Sequence, residues 1–116
     1  MKIKIRKADT LYSLWLRKER KYTCEKCGRK YKEGKGLQVS HFFGRRCESV
    51  RFDTENTDIL CFSCHQNFEE MPNDYREWKL NRMGDKAYKL LDFRAHQLVK
   101  RDDEKIILFL SHKIKN

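Results

Sequence analysis

No stretch of this sequence approaches the roughly 20 consecutive apolar residues that a bilayer-spanning helix needs. Its first residues alternate charge with isoleucine instead of building the apolar core of a signal peptide. Internal repeats, low-complexity linkers, a lipid-attachment signal and a membrane-seeking apolar face are also missing, so a soluble, cytoplasmic protein that engages no membrane is expected. Acid is scarce: 17 Asp and Glu stand against 27 Lys and Arg, a formal charge of +10. The excess gathers at the front, in Lys2, Lys4, Arg6, Lys7, Arg17, Lys18, Arg20 and Lys21. Phosphate backbones reward that balance through counterion release, which makes nucleic acid the expected partner class. The plain alternative is a solvated basic surface, since net charge governs association and solubility and not fold.

What is present in 116 residues is enough for a single domain, 1–116, with a small core that a metal ion would help to hold. Of five cysteines, four fall in two Cys-x-x-Cys pairs, Cys24/Cys27 and Cys61/Cys64. In a reducing compartment this pattern reads as metal binding before it reads as disulfides. Two sulfurs at that spacing reach one tetrahedral ion, so the four cysteines are expected to hold a closed, structural zinc. Cys47 is left over, most simply as a partly buried thiol.

The expected fold class is α+β. A helix over about 8–20 carries Leu11, Leu14 and Trp15 at helical spacing, with Asp9 or Thr10 as N-cap. The core, about 22–70, starts with a knuckle in which Gly28 is free to take positive φ. Alternation from Leu37 to Phe43 predicts a strand, and Ser49–Asp53 offers a second to pair with it as a hairpin. Cys61–Glu70 fits a short helix. Helices then fill about 72–115: Tyr75 and Trp78 share a face, Gly84 breaks the chain before Asp85, and a last helix has Asp102, Asp103 and Glu104 in its first turn and Lys113 in its last.

Phosphodiester hydrolysis needs a base to deprotonate water, a divalent cation for the charged transition state, and cationic groups to hold the phosphate. The segment between and after the cysteine pairs holds candidates for each: His41 before a Gly-Arg-Arg loop, Asn56 in a later loop, and His65 directly after the last cysteine. A histidine on a strand is otherwise a packing residue, and an asparagine in a loop a turn former.

The order Cys-x-x-Cys, Ser40-His41, Asn56, Cys61-x-x-Cys64-His65 resembles the HNH (ββα-metal) endonucleases with a four-cysteine zinc site. The run Lys7-Ala8-Asp9-Thr10-Leu11-Tyr12-Ser13, with Gln38-Val39-Ser40-His41-Phe42, Arg51-Phe52-Asp53, Tyr75 and Met83-Gly84, is similar to the lambdoid phage NinG (Rap) recombination endonucleases. The likeness spans roughly residues 5 to 92. It implies a zinc-stapled ββα-metal core with flanking helices, acting on DNA, including branched recombination intermediates. It makes His41 the general base, Asn56 the residue that orients its imidazole, and His65 a ligand of a catalytic Mg²⁺ or Mn²⁺.

One departure matters. Many HNH enzymes have a metal-binding aspartate before the catalytic histidine, and this chain has Ser40, whose hydroxyl is a poor sole ligand for a hard cation. Asp53, or Glu69 four residues after His65 on the same helical face, is the expected additional oxygen. Arg45, Arg46 and Arg51 are candidate phosphate clamps, Arg51 foremost because it shares the hairpin with His41. The competing function is a non-catalytic zinc module that binds nucleic acid; a protein-interaction adaptor leaves the charge unexplained. Ile106, Ile107, Leu110 and Ile114 form a stripe that serves either the core or a homodimer.

Overall fold

The computed structural model describes residues 6–115, which form five helices and one two-stranded antiparallel sheet. Lys2 and Lys4 of the basic front lie outside the described residues. Helix α1 (Lys7–Glu19) buries Ala8, Asp9, Tyr12 and Leu16, with Leu11 and Trp15 half-buried beside them. The stripe is rotated from the expected one, and Leu14 stands 52 % exposed. The cap also shifts. Arg6 is the N-cap, and Asp9, inside the first turn, accepts the Arg6 N–H at 2.9 Å.

Strand β1 (Leu37–His41) pairs with β2 (Thr57–Cys61), with Leu37 opposite Cys61 and His41 opposite Thr57. The second strand is therefore not Ser49–Asp53, which forms part of a 3₁₀ turn (Glu48–Val50) and the turn after it. Every residue of β2 is buried. A strand covered on both faces loses the polar–apolar alternation by which strands are read, and Asp58 inside it looks like a turn residue.

Helix α2 (Phe62–Glu70) starts as β2 ends, so the chain runs strand, long loop, strand, helix. Pro72 opens α3 (Pro72–Met83) at its first position, where its missing N–H costs nothing. Gly84 at φ 84° separates α3 from α4 (Asp85–Ala95). In α5 (Asp103–Lys115) the Asp102 side chain caps the start by accepting the Lys105 N–H. No helix among the described residues is long and apolar enough to cross a membrane.

Two clusters make the interior. The larger joins Tyr12 and Leu16 of α1, Leu37, Ile59 and Leu60 of the sheet, Phe68 of α2 and Leu110 of α5. Of the α5 stripe, Leu110 and Ile106 enter this core, whereas Ile114 remains 44 % exposed. The smaller cluster, Val50, Leu91 and Ala95 with half-buried Phe43, Cys47 and Met83, seats the 42–56 loop on α4. Cys47 is thus a packing thiol, apart from the other four cysteines.

Candidate metal centre and catalytic cleft

The two cysteine pairs arrive from opposite ends of the core. Cys24 and Cys27 flank a tight knuckle in which Gly28, at φ 77°, donates to the Cys24 carbonyl at 2.9 Å. Cys61 closes β2 and Cys64 lies in the first turn of α2. All four sulfurs lie within 4.8 Å of one another, and none is joined in a disulfide. A tetrahedral zinc with bonds of about 2.3 Å separates its sulfurs by about 3.8 Å; the Cys27 and Cys61 sulfurs stand 4.0 Å apart. The donor set fits a structural ion such as zinc.

The thiols feel one another. Burial pushes Cys64 up to about 12, aided by its neighbouring sulfurs. Burial also opposes ionisation of Cys61, but hydrogen bonds from the Cys64 backbone and thiol and from Tyr31 prevail and bring it down to about 6. Glu25, inside the knuckle, fastens it to the rest: its carboxylate accepts the Ile59 N–H at 2.5 Å, Arg20 at 2.6 Å and Arg82 at 3.0 Å.

Beside this centre opens a cleft of about 470 Å³ lined by residues that include Ser40, His41, His65 and Glu69. His41 is the last residue of β1. Its Nε2 is buried without a hydrogen-bond partner. The Arg51 backbone beside the ring favours the charged form. Burial first and the Arg45 guanidinium second push the His41 pKa down to about 4, so the ring is neutral at pH 7.

His65 has a supporting partner. Its Nδ1 is hydrogen-bonded to the Gln38 side-chain oxygen, which fixes the ring with Nε2 on the side of Glu69, as supporting partners do for metal-ligating histidines. Glu69, one helical turn on, holds a carboxylate oxygen 3.6 Å from that Nε2. Two ligands on an octahedral ion with bonds of about 2.1 Å stand about 3 Å apart, so a small turn of the exposed Glu69 brings both onto one cation.

Other expected residues lie elsewhere or do other work. Ser40 lines the cleft, but it is buried and its hydroxyl is tied to Tyr75 at 2.9 Å. Asp53 is not at the cleft: its oxygens accept the Glu55 N–H and the Arg94 guanidinium, at 2.9 and 2.8 Å, holding the loop to α4. Arg51 is no phosphate clamp. It is 7 % exposed, and Nε and an NH₂ group grip both Asp9 oxygens at 2.9 and 2.6 Å. The Asn56 side chain makes no hydrogen bond to the His41 ring. Fully buried, it accepts the Phe43 N–H at 2.8 Å and donates to the Phe43 and Val50 carbonyls, fixing the loop that carries Arg51. Arg46 is exposed, and Arg45 is half-buried with its Nε lacking a partner. The basic front is also partly spoken for: Arg6 binds Glu48 at 2.9 Å and Arg20 binds Glu25.

Sequence reasoning missed Gln38 and the polar chain behind the cleft. Tyr75 donates to Asp58 at 2.7 Å, leaving its oxygen to meet the Ser40 hydroxyl, and Lys79 binds the other Asp58 oxygen at 2.9 Å. Burial, with the Asp58 charge, drives the Tyr75 pKa far up, so the phenol keeps its proton. The signals were the shared strand face of Gln38 and Ser40 and the four-residue step from Tyr75 to Lys79.

No protein-family model, curated protein or solved structure matches this chain.

Proposed function

We propose that the chain is an HNH-type endonuclease that hydrolyses DNA phosphodiester bonds with the help of a divalent cation, and that its four-cysteine centre holds zinc as a structural staple. The observation that carries the reading is His41: an imidazole held neutral by burial, with a buried, unpartnered Nε2, on the cleft that also holds the His65–Glu69 pair. An unsatisfied buried polar atom costs about 1–3 kcal/mol. Among the described residues three side chains carry one, and two of these are His41 and Arg45, whose guanidinium acts on the His41 charge; an anion and its attacking water would complete them.

In this reading His41 Nε2 accepts a proton from water as the water oxygen bonds to phosphorus. The P–O3′ bond breaks, leaving a 5′-phosphate, and the departing O3′ takes a proton from solvent water to become the 3′-hydroxyl. A low pKa makes His41 a weak base in the free protein. A phosphate beside Arg45 offsets the charge that depresses it and brings the ring nearer the operating pH. His65 and Glu69 would hold Mg²⁺ or Mn²⁺, whose charge stabilises the phosphoryl and leaving oxygens when bound. Asn56 and Arg51 serve indirectly, by fixing the loop that follows His41.

A second reading, a zinc module that binds nucleic acid without cutting it, draws support from Arg51 and Asn56, both absorbed in holding the loop. Cleavage of supercoiled and branched DNA separates the two, with Mg²⁺ or Mn²⁺ supplied or omitted. The endonuclease should need the added ion and lose about 10²–10⁴-fold in rate in His41→Ala. Cleavage indifferent to that substitution rejects His41 as base; binding with no cleavage under any condition favours the second reading.

A further inference from the structure

The cleft that holds His41 is walled by aromatic rings that its hydrolytic chemistry does not use. Phe42, the residue after His41, meets Phe43 and Tyr75 with ring centroids 5.0 Å away and Tyr88 of α4 at 5.8 Å, all edge to face. Phe42, Phe43, Tyr75 and Tyr88 all line the cleft and are each only half-buried. An aromatic group of this size completes its packing in a closed core; here it borders open space. At the rim stand exposed Asn73 and Arg76.

A volume of about 470 Å³ falls in the range of about 300–1,000 Å³ typical of pockets for small organic ligands. A paired base inside a duplex cannot present its face to such a recess, because its neighbours in the stack cover it. An unpaired base can. Aromatic rings beside cationic groups are how proteins hold unpaired nucleotides, and ring stacking tolerates any base because every base has a π-face. Arg45 near His41 and Arg76 at the rim supply the positive charge for the attached phosphates.

We infer that this cleft takes an unpaired nucleotide, with its base against the Phe42 and Tyr88 rings, so that the site selects DNA carrying a gap, flap or bulge over continuous duplex. The inference rests on the nucleic-acid reading above and specifies its substrate class. Tyr88 is the informative side chain, since it projects from α4 and lies outside both core clusters, whereas Phe42 contacts three other rings.

The test is equilibrium binding, by fluorescence anisotropy, of the zinc-loaded full chain without magnesium or manganese. Three probes of equal length are compared at one salt concentration: a continuous duplex, a duplex with a short single-stranded gap, and the same gap with abasic nucleotides. The gapped probe should bind about tenfold more tightly than the duplex, the abasic gap should lose that preference, Tyr88→Ala should lose it too, and Tyr88→Trp should keep it. Equal affinity for all three probes, or a preference that survives Tyr88→Ala or the abasic gap, overturns the inference. The outcome is independent of catalysis. Preference without cleavage when magnesium is restored removes the endonuclease reading and leaves this one, while cleavage with no preference does the reverse.

Discussion

The four-cysteine centre and the histidine cleft lie side by side on α2, where Cys64 and His65 are neighbours, and they are built in opposite ways. The cysteines come from segments far apart in sequence, locked by the Glu25 bonds, and converge on one point where protein fills all four ligand positions. The cleft offers His65 with Glu69, whose side chain is 69 % exposed, and in the proposed reading would leave most of a coordination sphere to water and substrate. The first arrangement joins parts of the fold; the second would keep positions free for chemistry. A closed site converts metal affinity into folding free energy, and an open one gives that up to keep exchange and access.

The comparison predicts a steep order of effects on stability. Cys61→Ala should be the most damaging, because structural zinc in small domains contributes about 10–16 kcal/mol against a typical total stability of about 5–15 kcal/mol. Loss of cooperative thermal unfolding and of the bound zinc is expected; a variant that still melts cooperatively near the wild-type temperature would remove the staple from the account.

Asp9→Ala comes next. The Asp9–Arg51 pair is buried on both sides, with side chains 6 and 8 % exposed, and stripping one member of such a pair costs about 3–5 kcal/mol. Burial alone would raise the Asp9 carboxyl, but bonds from Arg51 and the Arg6 N–H outweigh it and hold the pKa below the ordinary 3.8. A depressed carboxylate stabilises the fold above its unfolded pKa and loses that contribution as pH falls through the folded value. The gap in denaturant midpoint between wild type and Asp9→Asn should therefore be constant near neutrality and narrow below pH 3.8. A gap that does not change with pH would mean the ion pair is not what Asp9 contributes.

His65→Ala and Glu69→Gln should be the mildest for the fold, about 1 kcal/mol or less each, while both slow divalent-dependent cleavage. Equal thermal loss in His65→Ala and Cys61→Ala would erase the distinction between the two centres.

These contrasts also explain what was legible in the sequence. Cys-x-x-Cys spacing is local and chemically distinctive, so the four-cysteine cluster could be read directly, as could α2 with its His65–Glu69 step and the helices that follow Pro72, Gly84 and Asp102. Arg51 and Asp53 could not. Each is a charged loop residue whose partner, Asp9 or Arg94, lies 42 or 41 positions away, and nothing in a side chain's type tells whether its charge faces a phosphate or another residue. Strand β2 was hidden by its own burial: Thr57-Asp58-Ile59-Leu60-Cys61 shows no alternation because Lys79 and Tyr75 satisfy Asp58 inside the protein.

The central claim, that His65 and Glu69 hold a labile cation next to His41 and apart from the cysteines, is tested most directly by titrating Mn²⁺ into zinc-loaded protein and following the imidazole resonances of the four histidines. Paramagnetic broadening should strike His65 first and His41 next, leave His112 sharp, and need more Mn²⁺ in Glu69→Gln, with no zinc released. Broadening that begins at His96 or His112, or that proceeds unchanged in Glu69→Gln, would contradict the account.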